Sequence, residues 1–68
     1  MGRIAAIGTG MAVRGFGLAG ALVLPAEDAH EVRAAWAALP SDVELVILTP
    51  AAAQAVGPAT DRLVAVLP

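Results

Sequence analysis

Four apolar runs divide the chain, at Arg3 to Ile7, Ala21 to Leu24, Val43 to Leu48 and Leu63 to Leu67, and turn residues separate them. The first and third are apolar at almost every position rather than every second one. That is the pattern of strands covered on both faces, as in parallel sheets. At least ten residues separate successive runs, enough for a helical crossover and too many for a tight hairpin. The first strand should therefore be central. Gly8-Thr9-Gly10 turns the chain into a first helix, expected over Met11 to Ala19, with Met11, Val13, Phe16 and Leu18 available for packing. Glycines at 15, 17 and 20 each weaken a helix by up to about 1 kcal/mol, so this one should be short and packed closely on the sheet. Pro25 marks the end of the second strand or a sheet edge.

The second helix has the clearest start. Asp28-Ala29-His30-Glu31 has the form of a capping box, in which Asp28 accepts from the Glu31 amide and Glu31 reaches back. Val32, Ala35, Trp36 and Leu39 form an apolar stripe for the sheet, Glu31 and Arg33 face water, and Pro40 stops the helix. After the third strand, Thr49-Pro50 reads as the cap and first residue of a third helix, which Gly57-Pro58 ends. With right-handed crossovers this order predicts an α/β fold: a small four-stranded parallel sheet of order 2-1-3-4 with flanking helices, flavodoxin-like or receiver-like. The 68 residues make one domain, 1–68, with no sign of a repeat or linker.

Composition narrows the function. The chain is 59% hydrophobic but 3% aromatic, so Phe16 and Trp36 are the only large rings in a core of Ala, Val, Leu and Ile. Four arginines, no lysine and a net charge of -2 leave no basic surface for a nucleic-acid backbone. Without cysteine, disulfides and thiolate metal sites do not arise. The uncharged runs, Gly15 to Ala26 and the longer Leu45 to Thr60, are shorter than the ~20 residues of a membrane-spanning helix, so no direct membrane insertion is expected.

Candidate chemistry is sparse. Gly8-Thr9-Gly10 followed by Glu27 invites comparison with a dinucleotide fingerprint, but Val13 stands where Gly or Ala is wanted and the chain cannot supply a second mononucleotide half. A phosphoreceiver would need carboxylates at the ends of the first and third strands, where Gly8-Thr9 and Thr49 stand. His30, the sole histidine, lacks a partner for catalysis or metal binding, and the capping role accounts for Asp28 and Glu31. No catalytic, cofactor-binding or metal-binding residue is assigned. Arg14, at the mouth of the glycine segment, is expected near the carboxyl end of the sheet, where open α/β proteins bind their partners. Thr49 and Pro50 share that edge.

Taken together, the strand Ile4-Ala5-Ala6-Ile7-Gly8, the segment Gly15-Phe16-Gly17-Leu18-Ala19-Gly20, the acidic turn Glu27-Asp28, the strand VELVILT from Val43 and the closing LVAVLP from Leu63 resemble the F-subunit family of the V/A-type (archaeal and vacuolar-type) rotary ATPases and ATP synthases. The resemblance spans essentially the whole chain. It implies a non-catalytic central-stalk protein, cytoplasmic and peripheral to the membrane within the complex, bound to the coiled-coil D-subunit and to other components of the ATPase. Such a protein contributes to coupling ATP turnover with proton or sodium transport and needs no cofactor of its own. Partner contacts are expected from Arg14, Phe16, Leu18, Thr49 and Pro50. The family's mobile C-terminal tail is lacking after Pro68, so regulation by that tail is not expected. The alternatives are a small nucleotide-binding Rossmann-like fragment and a degenerate receiver-like interaction module.

Overall fold

The computed structural model describes residues 2–17, 20–58 and 62–68, with Ala12 described by its backbone alone. Strands β1 (Arg3–Gly8), β2 (Leu22–Pro25), β3 (Val43–Leu48) and β4 (Leu63–Val66) alternate with helices α1 (Gly10–Gly17), α2 (Ala29–Ala37) and α3 (Pro50–Val56). All pairings are parallel and the order is β2-β1-β3-β4, the topology expected from the spacing of the apolar runs.

Register explains how the core is divided. In-register pairing aligns Leu22, Ala5, Val46 and Val64 in one cross-strand row and Leu24, Ile7, Leu48 and Val66 in the next. These rows point toward α2 and α3, because Ala5, Ile7, Val46 and Leu48 share one buried core with Val32, Leu39 and Ala52. Residues between them point the opposite way. Val23, Ala6, Ile47 and Ala65 make one row there, and Ile4, Leu45 and Leu63 another. Helix α1 packs on this second face over β1 and β2, where Val13 and Ala6 are fully buried.

Three expectations are corrected. The continuous apolar run predicts a third strand covered on both faces, but Leu45 and Ile47 are only half-buried, because α1 lies over the other half of the sheet. The second helix stops at Ala37, and Leu39 is buried just beyond its end. The first helix starts one residue earlier than expected, at Gly10, and its expected end at Ala19 lies outside the described residues.

Local chemistry sets the helix starts. Asp28 Oδ1 accepts from the Glu31 amide at 2.8 Å, while Glu31 Oε1 reaches past Asp28 to accept from the Glu27 amide at 2.7 Å, which shifts the reciprocal half of the capping box by one residue. Thr49 Oγ1 accepts from the Ala52 amide at 3.2 Å, with Pro50 as first helical residue. Gly57 closes α3 at φ +73°, a conformation that side chains disfavour. Arg62 donates to the Val43 and Pro40 carbonyls, both at 3.1 Å, and its guanidinium lies 5.8 Å from the centre of the Trp36 ring. One arginine thereby ties the start of β4 to the chain entering β3.

A two-pronged pair joins the start of β1 to the turn before β3: Arg3 Nε donates to Asp42 Oδ2 at 2.8 Å and Arg3 Nη2 to Oδ1 at 3.0 Å. The hydrogen bond from Arg3 holds the Asp42 carboxyl below its ordinary value of 3.8. A carboxyl depressed in the folded state stabilises fully above its unfolded pKa, and that contribution is lost as pH falls through the folded value. Asp42→Asn should therefore lower the urea midpoint at neutral pH, and the gap from the parent should close in acid below the carboxylate range. A gap that persists in acid would show that the ion pair is not its source.

Candidate functional site

The carboxyl ends of the strands bring three connections together at the point where crossovers leave β1 and β3 toward opposite faces. Open α/β sheets generally bind ligands at such a point. A cavity of about 170 Å³ lies there, with Thr9, Glu27, Asp28 and Thr49 as its polar lining and Ala26, Val32 and Ala52 among its apolar walls. Pockets that take drug-sized ligands run to ~300–1,000 Å³. The space is thus too small to enclose a nucleotide.

The anion position at this edge is already taken. Glu27 Oε1 accepts from the Gly10 amide at 3.3 Å, placing a carboxylate at the N-terminus of α1, where a dinucleotide would put its pyrophosphate. Parallel pairing of Gly8 with Pro25 carries residue 27 to the exit of β1, so the acid that fits a ribose contact by sequence spacing acts here as a helix cap. Thr49 also leans over Gly8. A Cβ added at Gly8 would fall 2.3 Å from Thr49 Cγ2, so the ends of β1 and β3 pack closely against each other. Among the described residues no three His, Cys, Asp or Glu side chains are grouped as a metal site would need, and no helix is long and apolar enough to cross a membrane.

The residues singled out for partner contact fall into two groups. Thr49 is half-buried and occupied as the cap of α3, and Pro50 is exposed beside it. Arg14 is exposed in the last turn of α1 and Phe16 half-buried on the same helix, which puts Arg14 about one helical turn below the carboxyl edge. Leu18 lies outside the described residues. His30 is exposed at the start of α2.

Residue spacing did not single out the most unusual surface. On the α1 side of the sheet Leu63 is 72% exposed and Ile4 45%, and Met11 on α1 is 84% exposed, while Val66, 52% exposed, lies on the side of α2 and α3. All four residues of β4 are exposed, although the strand is apolar throughout. Comparison with protein-family models, curated proteins and solved structures finds no match to the chain.

Proposed function

We propose that the chain is a docking protein without catalytic chemistry, a central-stalk component of a V/A-type rotary ATPase or ATP synthase that binds the coiled-coil protein of the stalk. One observation carries the docking part: an all-parallel sheet, a construction that usually keeps both faces covered, leaves the β3–β4 half of one face open beside α1. An exposed apolar surface next to an otherwise ordinary core marks an interaction site. The glycine segment that carries the family resemblance contributes the helix at the border of this surface. On this reading the chain sits on the cytoplasmic side as a peripheral part of the complex, and ion transport is coupled to ATP turnover by the assembly.

The 170 Å³ cavity and the carboxylate at the start of α1 weigh against the nucleotide-binding alternative. The receiver-like alternative keeps the fold, but Thr9 and Thr49 occupy the strand ends where its acids would stand. Binding to the native state alone raises stability, by about 2.7 kcal/mol when the ligand is at a hundred times its dissociation constant. Thermal melting of the chain should therefore shift upward with an excess of the coiled-coil stalk protein. Unchanged melting in its presence would count against the stalk assignment.

A further inference from the structure

The open half-face and its neighbouring helix form a trough and a ridge. The trough is floored by Leu45 and Ile47, both half-buried, and edged by Ile4 and the 72% exposed Leu63. It is two strands wide, roughly 10 Å at the usual spacing, and an α-helix with its side chains measures about 10–12 Å across. The ridge is α1, which presents the exposed Met11 and, at Gly15, a position with open space beside it.

We infer that a second copy of this chain closes this face, through a twofold axis running along the strands that lays each α1 over the β3–β4 half of its partner. Such a rotation reverses the strand order across the interface, so each ridge meets a trough and the two α1 helices complete one shared layer between two sheets. Self-complementarity of this kind is what a twofold contact demands. The Ile4-Leu45-Leu63 and Ala6-Ile47-Ala65 rows carry no charge, so the contact brings no like charges together within the trough. Area favours use of the whole face. A stable interface takes about 800 Å² from each partner, on the order of one entire face of a molecule 29 × 26 × 22 Å across.

The outer edge of β4 offers a different contact. The Leu67 amide donates to Leu48 O at 2.9 Å, and alternation along the strand turns the Val66 and Val64 amides toward the free edge. Pairing there would join only the four residues of β4 on each side and leave the apolar rows in water. The inference rests on the exposed rows and not on the stalk reading. Because the coiled-coil stalk protein is proposed for the same side of the sheet, the two partners would compete for it.

Sedimentation equilibrium of the isolated chain, from micromolar to submillimolar concentration, is the test. The mass should rise from 6.8 kDa toward twice that value. Leu63→Asp and Met11→Asp, each placing a charge in the contact at an exposed position, should weaken association by at least about tenfold with unchanged circular dichroism. Val64→Pro removes an edge donor and should still associate. A parent that stays at 6.8 kDa throughout would overturn the inference, as would dissociation by Val64→Pro but not by Leu63→Asp, which would assign the contact to the edge.

Discussion

Leu48→Ala is expected to leave the domain largely unfolded, or nearly so, under conditions where the parent is folded. Leu48 is 1% exposed at the end of β3 and sits in the core with Ile7, Val46 and Ala52. Truncating a buried leucine costs about 2–5 kcal/mol, the lost transfer energy plus the cavity left behind. A domain of this length has on the order of 3–10 kcal/mol in total. Its few large core side chains are set among alanines, so nothing nearby is long enough to fill the void. Leu63, on the adjacent strand, provides the comparison. At 72% exposure, Leu63→Ala should cost within about 0.5 kcal/mol when measured on dilute monomer. Urea unfolding of the two variants should therefore differ by several-fold in effect, and equal effects would refute the burial contrast between β3 and β4.

Gly8→Ala should produce the second large loss. The added methyl would stand 2.3 Å from Thr49 Cγ2 and 3.0 Å from Thr49 Oγ1, so Thr49 must move. Thr49 cannot move freely, because its hydroxyl caps α3 through the Ala52 amide. Overpacking of this kind costs about 1–3 kcal/mol, and loss of the cap adds roughly 1 kcal/mol. Serine at position 49 lacks the methyl that clashes most and keeps the hydroxyl that caps. Gly8→Ala combined with Thr49→Ser should thus be more stable than the sum of the single effects predicts. Strict additivity of the two substitutions would show that the strand ends are not in the close contact described.

The order and pairing of the elements can be read from the chain because each signal is local. Continuous apolar runs mark the strands, Asp28 and Thr49-Pro50 mark helix starts, and separations of ten or more residues exclude hairpins. What stays hidden depends on register. The role of Glu27 follows only from the pairing of Gly8 with Pro25, which brings residue 27 to Gly10 across the sheet. Arg62 reaches the Pro40 and Val43 carbonyls from distant positions in the chain, and no short-range pattern signals such a contact. Coverage of the sheet is also illegible. An apolar strand states that both faces can be buried, but whether a helix lies there depends on where the crossovers land, and among the described residues α1 packs on β1 and β2.

The surface left open is the physical reason to treat this chain as one part of a larger assembly, and the family resemblance supplies the candidate: the central stalk of a V/A-type rotary ATPase. Co-purification of the chain with the coiled-coil stalk protein of such an ATPase from the same source, alongside a Phe16→Asp variant and with ATP and NAD tested separately by melting, addresses that claim directly. Stoichiometric capture by the parent, loss of capture with the folded variant and no stabilisation by either nucleotide are the predicted results. A folded parent that fails to capture the stalk protein, above all one that melts higher with ATP or NAD, would contradict the assignment and return attention to the turn at Gly8 to Gly10.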